Sequence, residues 1–66
     1  MQIVVNGETH EAPTEATVAA LLVQLRLEGQ RLAVELNGDI IPRSAWTAQR
    51  LNAADRIEIV RAIGGG

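Results

Sequence analysis

The chain closes on Arg61-Ala62-Ile63-Gly64-Gly65-Gly66, the one stretch whose residue types suit unusual chemistry. Glycine has no Cβ, so a triple-glycine segment threads a channel too narrow for any side chain and adopts backbone angles that other residues avoid. Three such residues reach roughly 10 Å, at about 3.3 to 3.6 Å each. The α-carboxylate of Gly66 at the tip is ionised at neutral pH and a poor acceptor for nucleophiles. Adenylation by a partner would reverse that, because AMP is a good leaving group and an acyl-adenylate is electrophilic. A plainer reading stands beside it: glycine-rich ends also occur as disordered termini or linkers without a task.

Little else in the chain offers chemistry. With no cysteine there is no disulfide, thiolate metal site or thiol nucleophile, and the single histidine, His10, builds neither a multi-histidine zinc site nor a catalytic triad. A partly buried structural role suits His10 better than that of a base. All six basic residues are arginines, so the chain has no side-chain amine for acylation or ubiquitin-type chain formation, only its N-terminal amine. A net charge of −2 without runs of like charge gives no footprint for nucleic acid or an anionic membrane, so neither is expected as a partner. Met1 precedes a short alternating segment instead of a basic signal-peptide region, and no long apolar span follows, which predicts a cytoplasmic protein.

The elements that must position the glycines follow from periodicity. Sixty-six residues make one domain at most, with a core of Ile, Leu, Val and Ala, since Trp46 is the only aromatic. Strand-like runs flank Asn6-Gly7, the dipeptide suited to a type I′ hairpin, which sets Val5 opposite Glu8 and Ile3 opposite His10 and turns Met1, Ile3 and Val5 to the core. After Pro13, Val18, Leu21, Leu22 and Leu25 recur on one helical stripe, with Thr17 as N-cap and Gly29 as left-handed C-cap. Leu32, Val34 and Leu36 alternate into a second turn at Asn37-Gly38, then a short strand at Ile40-Ile41 is stopped by Pro42. Residues 43–55 read as irregular or one helical turn. The closing run alternates, Ile57 and Ile59 inward, Glu58 and Val60 outward. This is an α+β pattern, ββαββ with a short irregular or helical segment before the last strand. It fits a β-grasp mixed sheet with one main helix on one face and the last strand beside the first, in the middle. The expected division is a β-grasp domain over 1–63 and a flexible glycine tail over 64–66.

Four segments, "MQIVVNGE", "TVAALL", "NGDIIPRSAW" and "ADRIEIVRAIGGG", together resemble the bacterial ThiS sulfur carriers of thiamine biosynthesis over nearly the whole chain. The resemblance implies a ubiquitin-like protein whose terminal carboxylate, on Gly66, is adenylated by a ThiF-like, E1-type enzyme using ATP and Mg. Sulfur from a donor such as a cysteine desulfurase then replaces one oxygen, and the thiocarboxylate delivers it to a ThiG-like thiazole synthase. Such a protein is a carrier and co-substrate rather than an enzyme and binds no cofactor itself; Gly65 matches the penultimate glycine. Ala54-Asp55 departs from the Gly-Asp common in that family, which bears on the turn before the last strand and not on the tail.

Several residues carry two readings. Val60 is either part of an apolar docking patch or an ordinary exposed valine, and Arg61, ahead of Arg56, either pairs with acids lining a partner's tail channel or is simply solvated. Trp46 is a packing residue with its N–H on a carbonyl or water, or a binding hot spot. Rival functions are the small subunit of molybdopterin synthase, whose usual proline-rich approach to the glycines is missing here, and a sulfur carrier of another pathway. From other classes come a ubiquitin-like protein modifier and a binding module with an inert tail.

Overall fold

The computed structural model describes residues 1–61; the boundary at 63/64 and the whole Gly64–Gly66 tail lie outside the described residues. The elements are β1 (Gln2–Val5), β2 (Glu8–Glu11), α1 (Val18–Gln24), β3 (Leu32–Leu36), β4 (Asp39–Ile41), a 3-10 turn (Arg43–Ala45) and β5 (Arg56–Arg61). They form one five-stranded sheet in the order β2-β1-β5-β3-β4. As alternation and the crossover require, β5 is central, parallel to β1 and antiparallel to β3.

Both Asn-Gly turns form as the sequence predicts. Asn6 and Gly7 take φ of 49° and 84°, Asn37 and Gly38 take 50° and 91°. The first sets Ile3 opposite His10 and Val5 opposite Glu8. Inward residues of the sheet meet the helix stripe: Ile3, Val18, Leu21, Val34 and Ile57 are almost wholly buried. Trp46 closes one end of this core, donating its Nε1–H to the Ile41 carbonyl at 2.9 Å, so it packs as the first of its two readings has it.

The helix starts where expected and stops earlier. Thr17 caps it, its Oγ1 accepting from the Ala20 N–H at 3.1 Å. The C-terminal signal is not Gly29. Arg26 adopts φ 60°, its N–H donates to the Val23 carbonyl at 3.0 Å, and the Leu27 N–H donates to Leu22 at 2.8 Å. This is a Schellman ending with arginine in the left-handed place. It wins because it returns Leu27 to the core, whereas continuing to Gly29 would point Leu27 away from it.

The irregular segment before β5 has more to do than its composition shows. Its Gln49 and Trp46 carbonyls accept from the Val18 and Ala19 N–H groups at 2.9 and 3.0 Å, so with Thr17 they satisfy the open donors of the helix N-terminus. Leu51, in the same aperiodic stretch, is only 2% exposed. The turn at Ala54-Asp55 places Ala54 at φ 70°, a left-handed angle where the glycine of the resembling family would sit without strain.

Candidate functional site

The candidate site is the end of β5, from which the glycine segment continues in sequence. Up to Ile57 the strand lies between two neighbours, with Val5 opposite Ile57 on one side and Leu36 on the other. Beyond it, β1 has turned away, and β3 alone continues the ladder through Ala33 opposite Val60 and Leu32 opposite Arg61. The vacated edge is filled by a side chain. Asn6 accepts from the Ile59 N–H on Oδ1 at 2.7 Å and donates from Nδ2 to the Ile59 carbonyl at 3.1 Å. Its amide thus acts as one more ladder residue and fixes the direction of the strand just before the tail. Asn37 does the same at the strand's start, taking the Arg56 N–H on Oδ1 at 2.9 Å and donating to Asp55 at 3.0 Å. The sequence marks both asparagines only as turn formers; that each also clamps β5 depends on which strand lies next to the turn.

The proposed docking residues separate. Val60 is 59% exposed on the open face of the sheet, away from the helix, as its alternation predicts. Exposed Ala33 lies opposite it, and Ile40, 73% exposed, shares that face. The three interleave with Glu35 and Glu58, which lie directly opposite one another. The open face therefore offers an apolar surface with a carboxylate pair in it. Arg61 is also exposed but falls on the helix side, in phase with Ile57 and Ile59, so it and Val60 look in opposite directions from one strand. Arg56 belongs to the open face at the far end of β5, opposite Val4. His10 sits beside Ile3 on the inner side of β2, partly buried, and its Nε2 has no hydrogen-bond partner. The described residues hold no cluster of three or more His, Cys, Asp or Glu able to bind a metal, and no helix among them is long and apolar enough to cross a membrane.

A mixed five-stranded sheet with one helix on one face and the last strand at its centre, running toward a glycine end, defines a ubiquitin-like β-grasp protein. A crystal structure titled thiamine biosynthesis protein (ThiS) from Geobacter metallireducens matches it with a TM-score of 0.87 and 30% identity, all of both chains being covered. The family model described as ThiS family matches residues 2–66, and the chain belongs to the ThiS family. It is 32% identical to the sulfur carrier protein ThiS of Escherichia coli over the full length of both. It is also 41% identical to a thiazole synthase of Paramagnetospirillum magneticum and 39% to one of Magnetococcus marinus, but spans only 20% of the length of each.

Proposed function

We propose that this protein carries sulfur for thiazole formation in thiamine biosynthesis, with Gly66 bearing the reactive terminal carboxylate. The observation that carries the reading is family membership across residues 2–66, joined to a match over the whole of the E. coli sulfur carrier protein. In this mechanism the carboxylate oxygen of Gly66 attacks the α-phosphorus of Mg-bound ATP in a ThiF-like enzyme, releasing pyrophosphate and leaving an acyl-adenylate. The terminal sulfur of a persulfide on a cysteine desulfurase or similar donor attacks the carbonyl and AMP departs; a second thiolate then cleaves the resulting acyl disulfide, releasing the thiocarboxylate and leaving a disulfide on the donor side. The protein binds neither ATP nor Mg of its own accord; both belong to the activating enzyme, and the chemistry belongs to the cytoplasm, where ATP is at hand. The chain is a co-substrate, consumed and regenerated, and its missing cysteine is no obstacle because the sulfur rides on the main chain.

A ThiG-like thiazole synthase as acceptor is supported by the two proteins named thiazole synthase that hold a stretch similar to this chain inside a polypeptide five times as long. Carrier and synthase sharing one chain implies that the two act on one another. Docking is assigned to the open face around Val60, with Arg61 reaching the partner from the other side of the strand and Gly64, Gly65 and Gly66 threading to the active centre. The test is intact mass after incubation with the ThiF-like enzyme, Mg-ATP and a sulfur donor. The native chain is expected to exchange one oxygen for sulfur. A chain extended by one residue beyond Gly66 should gain none, since displacement of the reacting carbonyl costs rate heavily. Gly65→Val should also fail, because a branched side chain blocks a narrow channel and excludes glycine's backbone angles. Transfer of the activated chain to a lysine of another protein, without sulfur uptake, would make it a modifier; no adenylate at all would make the tail inert.

A further inference from the structure

An activated acyl group is captured by whatever strong nucleophile reaches it first, and the nearest are those of the carrier itself. The sequence has no lysine, no cysteine and no tyrosine, and meets every need for positive charge with arginine, whose guanidinium stays protonated. Two groups remain, the Met1 amine and His10, and the structure places both toward the end of the sheet away from Arg61. The Met1 amine donates to the Ala12 carbonyl at 2.7 Å and pairs with the Glu11 carboxylate at 2.9 Å. Buried Nε2 of His10 lies beside Ile3, on the same end of the sheet.

Distance adds to this. Val4 lies opposite Arg56 on the parallel β5, and Met1 is three residues further back along β1, so the amine lies beyond the start of β5. From Met1 to the level of Arg61 is a rise of about eight residues, roughly 26 Å at about 3.3 Å each, while the five residues after Arg61 extend at most about 17 Å. The tail therefore falls short of its own amine. Arg31 contrasts with this: it adjoins Leu32, the partner of Arg61, and sits exposed at the end where the tail leaves. A lysine there would be within reach.

We propose that the use of arginine in place of lysine, together with the tying down of the Met1 amine at the far end of the sheet, keeps the activated terminus from acylating its own chain or another copy. The inference rests on the carrier reading for its purpose, but its chemistry is testable without any activating enzyme. The step avoided is attack of an amine on the activated Gly66 carbonyl: a C–N bond forms, the bond to AMP or thiol breaks, and the amine's surplus proton passes to solvent.

The full chain is prepared as a C-terminal thioester by intein cleavage and followed by intact mass in mildly alkaline buffer. Unaltered chain should yield hydrolysed acid alone. Arg31→Lys should yield a product one water lighter than that acid, at a rate independent of protein concentration and about tenfold or more above any such product of the unaltered chain. Arg50→Lys, beside Glu15 at the Met1 end, should give no such cyclic product. Cyclised or dimeric product from the unaltered chain at the Arg31→Lys rate, or no gain in Arg31→Lys, would overturn the proposal and leave sulfur uptake untouched. Circular dichroism of each variant establishes that it is folded.

Discussion

At the level of single residues, Ala54 carries a cost that the rest of the turn imposes. Its φ of 70° is left-handed, where a Cβ crowds the following carbonyl by about 1 to 2 kcal/mol. Ala54→Gly should raise the unfolding free energy by about 1 kcal/mol in urea titration, part of the relief being offset by the freer unfolded chain. Val60→Asp, on the open face, should weaken calorimetric affinity for the ThiF-like enzyme by tenfold or more while changing stability little, because charge at the centre of an apolar interface is poorly tolerated, at about 1.4 kcal/mol per decade. Unchanged affinity would take Val60 out of the interface. The outward aim of Val60 was readable from alternation alone. That Arg61 faces the other way follows from the same alternation, but nearness to the tail in sequence groups the two, and only the register against Leu32 parts them.

At the level of elements, periodic segments were legible and aperiodic ones were not. Two Asn-Gly dipeptides, the stripe from Val18 to Leu25 and the alternating final run fix two hairpins, a helix and a strand by local chemistry. The helix ends before Gly29 although that residue has the better intrinsic left-handed preference, because burial of Leu27 decides the matter in favour of Arg26. Leu51 and the carbonyls of Trp46 and Gln49 were invisible for a related reason: their roles are set by what packs against them, not by spacing. The Asn6 clamp is the sharpest instance. Asn6→Gly keeps the turn's positive φ yet leaves the part-buried Ile59 N–H and carbonyl without their partner, which should cost about 1 to 3 kcal/mol in urea unfolding and speed amide exchange at Ile59. Asn37→Gly, whose bonds are exposed, should cost less than about 1 kcal/mol. Equal effects would mean that the clamp at the tail end has no special hold.

For the molecule as a whole, Ile59 is the last residue buried in the core among the described residues, and glycines add no apolar side chain to it. Deleting Gly64 to Gly66 should therefore leave the melting temperature within about a degree of the native value, whereas a loss of several degrees, which for so small a domain is roughly 1 kcal/mol, would show the tail to be packed. The placement of β5 has another result. The strand that joins the two hairpins into one sheet is the last of the described strands to be made, so a nascent polypeptide cut short between Ile41 and Arg56 keeps two ribbons without the strand that joins them. Such a fragment exposes the apolar faces that the joined sheet and helix would bury. A copy that has reached its folded state has been translated through β5, so the assembled sheet itself separates a chain read to Arg61 from a fragment broken off earlier.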